Sequence, residues 1–168
     1  MYKLYGYFSL AMSHLTKYSF GASSAIITCL AFIIGLSHSS NPKLSIVGSL
    51  LVIAIADNIS DSLGIHIYQE SDLKQQRVVR ISTVLNFLTR IGVILVFIAL
   101  VLVLPLNLAI VFSVVWGLSL LGVLSYYISR EQKVNPYIAI LMHVGIAVVV
   151  IIISYWLSMW IASFFSTL

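Results

Sequence analysis

Apolar positions along this chain fall into five long runs separated by short polar breaks. The runs cover approximately Ser19–Leu36, Leu44–Ile67, Ile81–Leu104, Leu108–Ile128 and Pro136–Phe165. A helix rising about 1.5 Å per residue needs about 20 apolar residues to cross a hydrocarbon core of about 30 Å. Inside lipid a spanning backbone must also satisfy its own hydrogen bonds, so each run predicts a transmembrane helix. The breaks carry turn chemistry. Ser37–Lys43 contains Asn41-Pro42, and Pro105 and Asn107 mark a tight turn. Arg130–Pro136 closes the fourth span and puts Pro136 at a first helical position, where its missing N–H costs nothing. Glu70–Arg80 is the most charged connection and the one able to hold an extra turn or two of helix. The predicted fold is all-α: one polytopic membrane domain over residues 1–168, a bundle of five transmembrane helices.

Composition agrees with the pattern. The chain has 168 residues, 61% of them hydrophobic and 8% charged, with a mean hydropathy of +1.09. A soluble domain carries about a quarter charged residues, so the lipid bilayer is the expected surrounding, and no room remains for a soluble domain. The net charge of +4 is informative by position. Lys3 and Lys17 precede the first span, Lys74, Arg77 and Arg80 lie between spans two and three, and Arg130 and Lys133 between four and five. The opposite side receives only Lys43. The positive-inside rule then predicts a cytoplasmic N-terminus and an external or luminal C-terminus. These basic residues are too scattered to suggest a nucleic-acid surface. The segment 1–18 (MYKLYGYFSLAMSHLTKY) is too polar and interrupted for a signal peptide, and its tyrosines suggest an interfacial position. The short length and the lack of a targeting segment lean towards a prokaryotic inner membrane. The single cysteine, Cys29, has no internal partner and reads as a small buried residue.

The chemistry concentrates in the second span. Asp57 and Asp61 stand one turn apart in LSIVGSLLVIAIADNISDSLGIHIY, and Asp57 lies about 20 Å along the helix from Leu44, near mid-membrane. A carboxylate there costs roughly 2.5–3.5 kcal/mol on insertion scales, which points to use. Ala54, Asp57, Asp61, Gly64 and Tyr68 share one face at helical spacing, and Asn58 and Ser62 flank it as further oxygen donors. Carboxylates one turn apart can share a hard or borderline divalent ion. They also repel when both are ionised, so a proton can take the ion's place. His66 and Glu70, an i, i+4 pair at the cytoplasmic end, suit capture of a transition metal or form a solvated helix end. Arg90 lies at a similar depth on the antiparallel third span, on a stripe with Ser82, Asn86 and Thr89, and is the competing partner: one aspartate neutralises it, but charge counting leaves the other over.

The first span carries small residues at alternating spacings of three and four: Gly21, Ser24, Thr28, Ala31 and Gly35. Such a seam lets helices approach closely in lipid, either within the bundle or at a symmetric dimer interface with a pathway along it. Ser113, Gly117 and Gly122 form a weaker version on the fourth span. His143 reads as a neutral histidine bonded to a neighbouring helix, His14 and His38 suggest nothing specific, and Trp116, Trp156 and Trp160 read as packing and interface anchors. Nothing points to an enzyme. The chain has no Gly-x-Ser-x-Gly elbow, P-loop, His-Glu-x-x-His or cysteine pair, and intramembrane aspartyl proteases set their two aspartates on separate helices.

Three stretches resemble the vacuolar iron transporter family. Tyr18-Ser-Phe-Gly-Ala-Ser-Ser-Ala-Ile-Ile-Thr28, with the apolar run ending in Gly35-Leu36, resembles its opening helix. Ile59-Ser-Asp-Ser-Leu-Gly-Ile-His66 resembles its Ser-Met-x-x-Gly-Glu-Tyr stretch, and Gly117-Leu-Ser-Leu-Leu-Gly122 with Tyr126-Tyr127 is similar to its fourth helix. The resemblance implies a homodimer that exports ferrous iron or manganese from the cytosol in exchange for protons, without a permanent cofactor, along a path at the dimer interface lined by the first two helices. This chain departs from the family pattern at Ser23-Ser24 in place of Asn-Asp, at Asp61 in place of the embedded methionine, and at Gly64-Ile65-His66 in place of Gly-Glu-Tyr. The cytoplasmic metal-binding insertion is reduced to Glu70–Arg80. A carboxylate in place of a thioether hardens the site, which predicts a preference shifted from iron towards manganese or another ion. Two other readings stay open: a non-transporting scaffold or assembly subunit whose aspartates only pair with Arg90, and a small cation channel.

Overall fold

The computed structural model describes residues 20–71 and 76–165. The expected interfacial segment 1–18 and the connection residues Asp72 and Lys74 lie outside the described residues. The described chain is helical throughout apart from short turns. Helix α1 is Phe20–Gly35. Helix α2 (Pro42–Val52), a π-helical turn (Ile53–Asp57) and α3 (Asn58–Ser71) follow one another as a single run, succeeded by α4 (Gln76–Val103), α5 (Leu106–Glu131) and α6 (Pro136–Phe165).

Four of these runs are long and apolar enough to cross a membrane: Pro42–Tyr68, Val79–Val103, Leu106–Glu131 and Pro136–Phe164. Of the five expected spans, the described residues show four at full length. The described part of the first, Phe20–Gly35, is a shorter apolar helix, about 24 Å long at helical rise. Its direction still fits alternate crossing. Gly21 packs on Asn86 and Ser24 bonds Arg90, so α1 runs parallel to α4. Asp57 meets Arg90 while His66 meets Thr83, so α3 runs antiparallel to α4.

The breaks behave as their residues dictate. Pro42 sits in the first turn of α2 behind Asn41 as N-cap. Pro136 opens α6, and Asn135 Oδ1 accepts a hydrogen bond from Tyr137 N–H at 3.0 Å. Lys133 ends the α5 turn with φ of 56°, in the left-handed region, while Val134 N–H returns to Ser129 O at 3.0 Å, the six-to-one bond of a Schellman ending.

Helix α1 is the centre of the bundle rather than its edge. Ala25, Ile26, Cys29, Leu30 and Ile33 are fully buried, packed with Ile46 and Leu50 of α2 and Ile94 and Phe97 of α4. The small-residue seam works inside the chain at three places. A Cβ on Gly21 would collide with Asn86 Oδ1, one on Gly35 would lie 3.9 Å from Ser154 Cβ of α6, and Ser24 reaches Arg90. On α5, a Cβ on Gly117 would meet Leu30 Cδ1 at 3.0 Å and Phe97 Cζ at 3.2 Å, so that run is a packing face. Gly21→Ala is therefore expected to push Asn86 aside and to lower stability by about 1–3 kcal/mol, the range for overpacked interiors. Thermal unfolding in detergent measures this, and an unchanged midpoint would contradict the close approach.

The π-turn has a cause in spacing. Inward positions Ile46, Leu50, Ala54, Asn58 and Ser62 are buried, while Leu51, Ile55, Ile59, Leu63 and Ile67 are exposed apolar residues. Both series repeat every four residues. In an α-helix of 3.6 residues per turn, each four-residue step overshoots by about 40°. A wider turn, closed here by Asn58 N–H on Ile53 O, takes up part of that slip and keeps both faces aligned. Its last residue is Asp57, and such turns are frequent at functional sites.

Candidate functional site

The structure joins Asp57, Asp61 and Arg90 in one network. Arg90 Nη2 lies 2.5 Å from Asp57 Oδ2, Arg90 Nη1 bonds Asp61 Oδ2, and the same Nη1 donates to Ser24 Oγ at 2.9 Å. Ser24 Oγ in turn donates to Asp61 Oδ2 at 3.4 Å. The sequence expectation that Arg90 takes one aspartate is corrected: one planar guanidinium, with donors on both terminal nitrogens, engages both. The helical turn between Asp57 and Asp61 matches the spread of that fork.

Charge counting still holds. Two ionised carboxylates and one guanidinium leave one negative charge over. Burial is uneven. The Arg90 side chain is 0% exposed, whereas Asp57 and Asp61 are 44% and 31% exposed. The cation is thus sealed inside while its two partners border the outside of the bundle. Each carboxylate uses Oδ2 on the arginine and keeps Oδ1 outside that contact.

The remaining expected ligands are not gathered here. Asn58 and Ser62 are buried, and Asn58 turns towards α4, where its Nδ2 donates to Phe87 O at 3.0 Å. His66 Nε2 faces Glu70 Oε1 at 3.5 Å, and its Nδ1 lies 3.4 Å from Thr83 Oγ1, so this pair stands apart towards the end of α3. The expected stripe also rotates: Ala54 is buried with the aspartates half-buried, but Gly64 and Tyr68 are exposed. Among the described residues no three His, Cys, Asp or Glu side chains converge as a metal cluster.

His143 bonds a neighbouring helix, with Nδ1 2.9 Å from Ser125 Oγ of α5, as its position suggested. It lines a cavity of about 350 Å³ between α1, α5 and α6, with Ser23, Ile27 and Gln132. Residue-by-residue reading passed over two features. Ser24, a residue of the α1 seam, is the third partner of the charge network; its parallel depth with Arg90 is the sequence signal for it. His38 Nδ1 lies 3.0 Å from both Ser37 Oγ and Ser158 Oγ and packs edge-on to Tyr155, beside a cavity of about 610 Å³. No local signal joins residues that far apart in the chain.

Four helices long and apolar enough to cross a membrane fit a multi-pass membrane protein, with an arginine–dicarboxylate network within the bundle. Comparison with family models, with curated proteins and with solved structures finds no match.

Proposed function

We propose that this chain is a secondary transporter that carries divalent transition-metal ions, manganese or ferrous iron, out of the cytosol in exchange for protons. The observation that carries the reading is the network of two carboxylates on one buried guanidinium, which holds one negative charge more than it balances. In lipid that excess is costly unless a cation or proton occupies it. Exchange between the two is then the natural cycle: an incoming divalent ion draws the carboxylate oxygens from Arg90, and protons with Arg90 restore the network after release. The choice of metal rests on the resemblance to the vacuolar iron transporters and on the hardness of an all-oxygen donor set. In the proposed homodimer the outward sides of Asp57 and Asp61 face the second copy instead of lipid. The orientation with a cytoplasmic N-terminus makes release external.

One observation favours the scaffold reading. Arg90 is fully buried and touches both aspartates, so the charges have partners without any transported ion. Uptake of manganese and of ferrous iron into liposomes holding the purified protein, under an imposed pH gradient, separates the two. Gradient-driven uptake above protein-free liposomes is the expected result. A folded protein that moves neither metal would leave the scaffold, and uptake indifferent to the gradient would indicate a channel.

A further inference from the structure

Buried polar side chains from the level of the charge network towards the Glu70 end of the bundle carry atoms without partners. Asn58 Oδ1, Ser62 Oγ and both amide atoms of Asn86 have no hydrogen-bond partner among the described residues. Asn58 and Asn86 are 0% exposed and Ser62 is 6% exposed. Leaving a buried polar atom unpaired costs about 1–3 kcal/mol, and four such atoms in one region of a small bundle call for a common partner. The side chains are short, uncharged and both donating and accepting, which fits water and not a bulky or charged ligand. Buried waters of this kind bond about three polar groups each.

Placement makes these groups a line. Asn58 meets Phe87 O, Asp61 meets Arg90 and His66 meets Thr83. In an antiparallel pair, those contacts bracket Ser62 and Asn86 at one level. Along α3 the positions Asn58, Ser62 and His66 follow at one-turn spacing; along α4, Arg90, Asn86 and Ser82 do the same. The line starts at His66 and Glu70, 30% and 45% exposed, and ends at Asp61 and Arg90. Gly21 is part of its construction, since any side chain there would displace Asn86.

Beyond the network the character changes. On the far side, α2 contributes Ile46 and Leu50, α4 contributes Ile94 and Phe97, and α1 contributes Leu30 and Ile33, all 0% exposed and packed as one apolar cluster. A packed apolar layer of this kind excludes water.

We propose that a file of water molecules runs between α3 and α4 from His66 and Glu70 to Asp61 and Arg90, conducting protons to the carboxylates from that side only. The file deepens the transport reading and rests on it for its purpose: it makes this conformation one that is open to the Glu70 face and shut to the other. Its existence, however, is testable without any transport.

The test is thiol accessibility in vesicles, in a Cys29→Ala background, with a small membrane-impermeant cationic methanethiosulfonate added to one face at a time. Ser62→Cys, with Asn86→Cys as the second variant, is expected to label from the face that labels Glu70→Cys, at least ~10-fold faster than Leu50→Cys, because only a hydrated thiol ionises readily. Native Cys29, inside the apolar cluster, is expected to stay unreactive in the otherwise unchanged protein. Failure of both Ser62→Cys and Asn86→Cys to label from either face, with Glu70→Cys reacting, would overturn the file. Equal labelling from both faces, or fast labelling of Leu50→Cys, would overturn the one-sided closure. Labelling as expected in a protein that moves no metal would sink the transport reading and leave the file standing.

Discussion

Arg90→Gln is expected to be the most damaging single substitution in the bundle. It removes the only charge partner that Asp57 and Asp61 have among the described residues and leaves two carboxylates one turn apart in the bundle. Breaking a buried pair by removing one partner costs about 3–5 kcal/mol, and repulsion between the stranded carboxylates adds to it. Detergent-solubilised Arg90→Gln is expected to unfold or aggregate well below the wild-type temperature. Arg90→Lys should recover part of the loss, since an ammonium supplies the charge but not the planar fork that spans both carboxylates. The variant with Asp57→Asn, Asp61→Asn and Arg90→Gln together should recover most of it, because an uncharged hydrogen-bonded set replaces an ion network at little net cost. A well-folded Arg90→Gln protein would contradict the network as drawn.

The second large effect is on flux and runs opposite to stability. Asp57→Asn and Asp61→Asn each cancel the excess negative charge and leave Arg90 one full partner. Each single variant is therefore expected to melt at or above the wild-type temperature, whereas Asp57→Asn with Asp61→Asn strands Arg90 and should melt below it. Each single variant should nonetheless lose metal uptake. Truncating one partner of a buried charged contact costs about 2–5 kcal/mol, which at about 1.4 kcal/mol per decade is on the order of 30-fold or more in affinity. Stable, inactive single variants are what an exchange site yields when function is held at the expense of stability. Wild-type uptake in both single variants would remove the aspartates from the transport path.

Much of this was legible from residue order. The long spans lie where hydropathy puts them, because lipid makes length and apolarity nearly sufficient conditions for a helix. The depth match of Arg90 with Asp57 and Asp61 followed from helical rise alone. What was not legible was which side of each helix turns inward. A 3.6-residue template placed Gly64 and Tyr68 with the aspartates, yet the strict fours of Leu51, Ile55, Ile59, Leu63 and Ile67 hold a different face outward. That repeat was the sequence signal for a π-turn. The seam on α1 signalled close approach correctly but not its partner: small residues say that backbones meet, and only depth and direction say which. Counting charges also understated Arg90, since its fork satisfies two carboxylates by geometry while neutralising one.

Exchange of a metal ion for protons at Asp57 and Asp61 is tested most directly by simultaneous recording of both fluxes. Liposomes holding the wild-type protein would carry a manganese-sensitive dye and a pH-sensitive dye, with no imposed pH gradient. Manganese added outside is expected to enter as protons leave, at a fixed ratio, with both signals lost together in Asp61→Asn. Manganese entry without proton movement, or proton movement that persists unchanged in Asp61→Asn, would contradict it.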